Sequence, residues 1–267
     1  MALSLSLDRA DYEKALTEAG QGDVAVFHHQ TTGSTNDDAR SLAASSTFDP
    51  AVTTAIVVAE AQTRGRGRGS NTWRSPEGSI AFTITVAGVE ASRLGVLPLG
   101  VGACVVEALG DLGAPAALKW PNDVLIGGRK VCGILCESSL LSGRARVYIG
   151  IGMNVSGQGL PSDLTTRATT LEALGLAVSR PPLVADITAR VLGLIHGTDS
   201  NPAIVEAWKR VAVPWWGEEV TFSEGETEKR VTLLDVNPHG QLVVRDAQGV
   251  VRSLVSGEVH RLRTSPQ

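Results

Sequence analysis

The sequence predicts an α+β fold: a mixed β-sheet with packed helices, followed by a small C-terminal β-barrel. Three observations lead there. Runs at residues 55–59, 80–86, 117–120, 131–137 and 147–155 are β-branched or alternate in polarity, as strands do. Helical patterns at 36–44, 98–109, 183–196 and 202–211 lie among them, yet several strands follow one another directly, which disfavours a doubly wound sheet. Beyond Pro214 only short strand patterns remain, at 220–222, 230–236, 242–245 and 250–254, divided by turn formers at 223–225, 237–240 and 248–249.

Taken in order, the elements define three zones: a helical lead-in at 1–22, a core at 23–213 and a β-segment at 214–267. A helix is expected at 8–19, because Asp8 can cap it, Asp11 stands at its third position and Leu7 and Tyr12 are spaced as a hydrophobic staple. Gly20 is a fitting stop. A lone helix leaves no room ahead of the core for a complete helix-turn-helix. Asn201 followed by Pro202 reads as a cap and a first helical position.

Composition narrows the class. The 267 residues are 43% apolar and 19% charged, the profile of a soluble protein with a buried core. Asp8, Arg9, Asp11, Glu13 and Lys14 interrupt any signal peptide, and no apolar run is long enough to span a membrane. Three cysteines, an odd number, point to a reducing compartment, so a cytoplasmic location is expected. The net charge of −4 opposes a surface built to grip nucleic acid.

The densest chemistry runs from Gln62 to Trp73, where Gly65, Gly67 and Gly69 alternate with Arg66 and Arg68. Glycines expose backbone N–H groups and arginines add fixed charge, a combination suited to phosphates, although a solvated basic turn would look the same. Lys119-Trp120-Pro121-Asn122-Asp123 presents a cation, an amide and a carboxylate at a strand end, and is also ordinary turn chemistry. Gly127-Gly128 suggests a hairpin that would return Lys130 to Asp123. Ser34-Thr35-Asn36 precedes a helix, where simple capping is the plain alternative. Gly150 and Gly152 interrupt a strand before Asn154, marking either a bulge or a ligand's approach to the backbone. Cys132 and Cys136 read as small core residues, and Trp215-Trp216 as packing between zones.

Together these pieces resemble the catalytic domain of the biotin protein ligases: Ser34–Asn36, Gly65–Arg68 with Trp73, Lys119–Asp123, Lys130–Gly133 and Gly150–Asn154, in that order. The resemblance covers residues 24–260 and implies a fold like that of biotin ligases and class II aminoacyl-tRNA synthetases, with a C-terminal SH3-like domain. One departure is Gly69-Ser70, where many relatives are basic, which leaves this loop less charged. The implied activity is ATP-dependent formation of biotinyl-5′-AMP, then transfer of biotin to a lysine of the carrier domain of acyl-CoA carboxylases. Biotin and ATP are the implied substrates, with Mg²⁺ arriving on ATP. The implied biotin residues are Ser34, Thr35, Asn36, Gln62, Gly65, Arg66, Gly67, Arg68, Lys130, Gly133, Gly150 and Gly152. The adenylate falls to Arg66, Arg68, Trp73, Lys119, Asn122, Lys130 and Asn154, and catalysis to Lys130, Arg66 and Asp123. A monomer or weak homodimer is expected, without nucleic acid or membrane. The alternatives are a lipoate-type ligase or acyltransferase, a biotin-responsive repressor, and a nucleotide-binding module without catalysis.

Overall fold

The computed structural model describes residues 7–45, 53–75, 78–141, 143–156, 164, 166–224 and 227–261. Helix α1 (Arg9–Glu18) opens with a capping box: Asp8 accepts from the N–H groups of Ala10 and Asp11, and the Asp11 carboxylate accepts from the Asp8 N–H at 2.9 Å. This satisfies donors that a helix start leaves free. Buried Tyr12 and Leu16 seat α1 against β1 (Ala25–Thr32) and α4 (Arg180–His196).

Seven strands form the main sheet. The others are β2 (Thr54–Gln62), β3 (Ile80–Glu90), β4 (Ala116–Lys119), β5 (Asp123–Ile126), β6 (Arg129–Leu141) and β7 (Arg144–Met153). Their order is β1-β2-β3-β7-β6-β5-β4, and only β1 and β2 run parallel. That one parallel pair needs a crossover, which α2 (Thr35–Ala44) supplies.

Alternation gives the sheet two different faces. On one, Ile80, Phe82, Ile84, Ile134, Ile149, Ile151 and Met153 are almost fully buried in the core shared with α1, α4 and α3 (Leu97–Asp111). Each such side chain contributes about 1.5–3 kcal/mol of burial. On the other, Val57 and Tyr148 meet Ala39 of α2, while Ala81, Thr83, Gly133, Gly150 and Gly152 leave the sheet nearly bare toward one end. Cys132 lies fully buried on the core face, where desolvation pushes its thiol up to about 12.

A second, antiparallel sheet comprises β8 (Glu219–Glu224), β9 (Thr227–Val236), β10 (Leu242–Asp246), β11 (Val251–Leu254) and β12 (Glu258–Arg261), in the order β11-β10-β9-β8-β12. This antiparallel sheet is consistent with the expected SH3-like domain, and among the described residues β11 and β12 do not pair to close it as a barrel. It joins the core at defined points. Trp120 Nε1 donates to Gly240 O at 3.1 Å, and Lys209 of α5 (Asn201–Arg210) meets Asp235 at 2.6 Å. Trp208 and Trp216 pack edge to face with centroids 6.1 Å apart.

Some local expectations shift. Three strands lack a sequence pattern: β1 carries polar His28, His29 and Gln30, β5 starts inside the Asn122-Asp123 turn signal, and β12 is only four residues long. Ser200, not Asn201, caps α5, which moves Pro202 to the second helical position. Strand β7 ends at Met153 rather than at residue 155. No helix among the described residues is long and apolar enough to cross a membrane.

Candidate active site

The bare end of the sheet is built by register. Lys119 pairs with Asp123, Asp123 with Gly133, Gly133 with Gly152 and Gly152 with Ala81, so one row across four strand pairs runs from charged groups to a floor of small residues. Pairing shows no register shift at Gly150 or Gly152, so these glycines are not a bulge. They allow close approach instead. A Cβ at Gly150 would stand 2.3 Å from Asn36 Oδ1, and one at Gly152 would stand 2.4 Å from the Trp73 ring. The space expected for a ligand directly above these two glycines is therefore taken by Asn36 and Trp73. Beyond them opens a cavity of about 1380 Å³ between the main sheet, the Gly-Arg segment and the second sheet.

Two cations of this cavity, Lys119 and Lys130, meet at Asp123. The Gly127-Gly128 turn, with φ of +55° and +74°, folds β6 back so that Lys130 Nζ lies 2.5 Å from Asp123 Oδ1. Lys119 Nζ reaches Asp123 Oδ2 at 2.7 Å from the other side. Burial alone would raise the Asp123 pKa, but the Lys130 and Lys119 ammoniums hold it below the ordinary carboxylate value. The group is a fixed anion that aims two ammoniums, and a weak proton acceptor. Asn122 faces β6, its Nδ2 donating to Ile134 O at 2.7 Å, and Asn154 Nδ2 donates to Lys130 O at 3.4 Å.

Across the cavity lies a chain of amides and hydroxyls. Gln62 Oε1 accepts from the Thr35 N–H at 2.8 Å and from its hydroxyl at 3.2 Å, while Gln62 Nε2 donates to Ser75 Oγ at 2.9 Å. Thr83 donates to Asn36 Oδ1 at 2.6 Å, and Asn36 Nδ2 donates to Glu137 Oε2 at 2.9 Å. Ser34 precedes α2 but makes no side-chain cap bond, so capping does not account for the Ser34–Asn36 segment. Ser34, Thr35 and Asn36 are buried and all line the cavity.

The Gly-Arg segment lies over these two walls as a tight hairpin, with Trp73 N–H donating to Gly65 O at 2.9 Å and Gly67 N–H to Asn71 O at 2.8 Å. Gly65 lies outside the cavity lining, pressed so that a Cβ would stand 2.4 Å from Trp73 O. Gly67 lines it. Arg68 donates to Gly257 O at 3.2 Å, and Asn71 Nδ2 to Glu258 Oε1 at 2.5 Å, which pins the hairpin to the second sheet. His260 and then Asn71 hold the Glu258 carboxyl down to about 2. Arg66 turns to Asp37, at 2.9 Å, and to Glu137. Trp73 lies over Gly133 and Gly152 with Lys130 Nζ 5.4 Å from its ring, and its buried Nε1 has no hydrogen-bond partner among the described residues. An unpaired buried donor costs about 1–3 kcal/mol.

Four participants escaped the sequence reading. Ser75, Thr83 and Glu258 belong to no motif and meet the cavity or its network only through tertiary pairing. Glu137 was detectable: it shares strand parity with Gly133, and a lone carboxylate on the bare face of an apolar strand calls for a partner.

Comparison with known proteins gives the family of this fold. Residues 24–154 match the family described as Biotin/lipoate A/B protein ligase. The chain is 30% identical to the biotin–[acetyl-CoA-carboxylase] ligase of Mycobacterium tuberculosis, over 92% of this chain and 95% of that protein. It is similar to a biotin protein ligase from Aquifex aeolicus in complex with biotin and ATP, at 27% identity and a TM-score of 0.69, covering 90% of this chain and 99% of that one. A ligase from Leishmania major in complex with biotinyl-5-AMP gives 27% identity and a TM-score of 0.61, covering 86% and 98%. The fold and cavity define a protein ligase of the biotin/lipoate class. Within it, the chain belongs to the biotin protein ligase family.

Proposed function

We propose that this protein activates biotin with MgATP and transfers it to a lysine of a carboxylase carrier domain. In the first step a biotin carboxylate oxygen attacks the α-phosphorus, the bond to pyrophosphate breaks, and biotinyl-5′-AMP forms. In the second, a neutral lysine amine attacks the acyl carbon of the mixed anhydride, AMP departs and the nitrogen loses a proton. The observation that carries this reading is the meeting, in one cavity, of Arg66, Arg68, Lys119 and Lys130 with the amide–hydroxyl wall of Thr35, Asn36 and Gln62.

The first step brings two anions together, and at about 4 Å with an effective dielectric near 20 they repel by about 4 kcal/mol. Lys130 and Arg68 offset that repulsion and stabilise the charge that develops on the phosphate oxygens. Lys119 and Asn122 flank the nucleotide and Asn154 steadies its far side. Ser34, Thr35 and Gln62 serve the ureido ring, which needs donors and acceptors together, and Gly150 and Gly152 make room for Asn36 and Trp73, which carry the wall beside the acid. Mg²⁺ is expected to enter on the ATP phosphates, as its preference for phosphate oxygens and water favours. We assign the cavity to the unit at 23–213, with the second sheet of the unit at 214–267 closing one side of it and α1 of the lead-in at 1–22 bracing the main sheet. We place its action in the cytoplasm, in keeping with its three free cysteines, as a monomer or weak homodimer.

The test is ATP–pyrophosphate exchange with biotin and, in parallel, with lipoate. Exchange with biotin alone is the expected result; exchange with lipoate alone would move the chain to the lipoate branch.

A further inference from the structure

Glu137 lies on β6 with its side chain about one-fifth exposed, and each of its carboxylate oxygens has cationic or amide company. Oε2 takes Arg66 Nη2 at 2.5 Å from the Gly-Arg segment and Asn36 Nδ2 at 2.9 Å from the first turn of α2. Oε1 faces Arg40 Nη2 at 3.3 Å, one helical turn further along α2. Arg40 in turn lies over the Tyr148 ring at 4.9 Å, and Tyr148 pairs with Glu137 across the ladder. Arg66 also meets Asp37, so two acids on separate elements hold one arginine of the segment.

From Glu137 the network continues in both directions. Through Asn36, Thr83 and Thr35 it reaches Gln62 and Ser75, which stand at the two ends of the Gly-Arg segment. Through Arg66 it grips the middle of the same segment. One carboxylate thus joins the lid of the cavity to the wall that faces the small acid. Arg66, occupied this way, is a tether, and Arg68, Lys119 and Lys130 are among the cavity cations left to face phosphate.

We propose that Glu137 is a positioning residue that ties the Gly-Arg segment, through Arg66, to Asn36 at the start of α2. Closure of the segment and alignment of the acid-binding wall are then set together. The proposal deepens the ligase reading and rests on it for its catalytic consequence, although the tether itself does not.

The experiment is a mutant cycle on the full chain with Glu137→Gln, Arg66→Ala and the double variant, and Glu137→Ala beside them. Glu137→Gln keeps the size of the side chain and an acceptor for Asn36 while removing the charge that holds Arg66, and thermal unfolding confirms that it folds. Two readouts are taken: trypsin cleavage after Arg64, Arg68 and Arg74 without ligand, and the rate of biotinyl-adenylate formation. Each single variant is expected to raise cleavage several-fold and to lower the adenylation rate about tenfold, with the KM for biotin changed less than about threefold, and the double variant to do no more than one alone. Effects that multiply in the double variant, or a Glu137→Gln protein with wild-type cleavage and rate, would overturn the tether. Wild-type protein that forms no adenylate while the cleavage coupling persists would instead remove the ligase reading and leave the tether standing.

Discussion

Lys130 owes its position to a two-glycine turn and to Asp123, and its chemistry follows from both. Loss of one preorganised donor from developing negative charge slows a reaction by about 100- to 1,000-fold. Lys130→Ala is therefore expected to lower adenylate formation by that order in pyrophosphate exchange, and a loss below about tenfold would exclude Lys130 from the step. Asp123 is a different case. Bracketed by Lys119 and Lys130, its folded pKa is depressed below 3.8, so its ionised form is the stabilised one. That stabilisation is present above the unfolded value and disappears as pH falls through the lower folded value. The rate profile between pH 5 and 8 is accordingly expected to lack an Asp123 limb. Asp123→Asn is expected to slow both half-reactions, because it releases two ammoniums; rapid-quench measurement of each half-reaction tests this. A loss confined to transfer, together with a new acid limb in the wild type, would give Asp123 the role of proton acceptor instead.

At the scale of elements, β7 shows how strand alternation makes a site. Ile149, Ile151 and Met153 fill the core while Gly150 and Gly152 leave the opposite face to Asn36 and Trp73. Gly152→Ala forces the rigid Trp73 ring aside, and overpacking of this kind costs about 1–3 kcal/mol. Calorimetry is expected to show biotin binding weakened at least about tenfold, whereas Gly110→Ala, whose added methyl meets nothing within 4 Å, serves as the unaffected control. Equal affinities in the two variants would mean that the glycine floor is not part of the site. This strand was legible in the sequence because glycine alternating with isoleucine gives a strand one apolar face and one bare face. The lead-in helix was legible for a similar reason, since Asp8 and Asp11 form a local device. Strand β5 was not: its pairing depends on β4 and β6, and Asn122-Asp123 reads as a turn in isolation. Glu137 was detectable from its strand parity, but its partners were not, since they lie 71 and 101 residues away in sequence.

At the scale of the molecule, the cavity needs both sheets. The main sheet supplies the floor and the cations, while Gly257 and Glu258 of the second hold Arg68 and Asn71 over them. Sequence motifs announced the contents of the cavity, but the closure came from contacts spanning 187 and 189 residues, which no local pattern records. Trp120 shows the same division: it belongs to a motif at the site, yet its indole N–H reports to Gly240 in the second sheet. A reactive acyl-adenylate benefits from such enclosure, since water that enters hydrolyses it.

In the proposed reaction these cations unite an acid with a nucleotide for delivery to a protein amine, and every role proposed above depends on that union. The most direct measurement is incubation of the full chain with labelled biotin, MgATP and a purified biotin carrier domain, followed by mapping of the label. One label is expected on the carrier's acceptor lysine, and none when that lysine is replaced by arginine. Label that never leaves free biotin, with no pyrophosphate released, would contradict it.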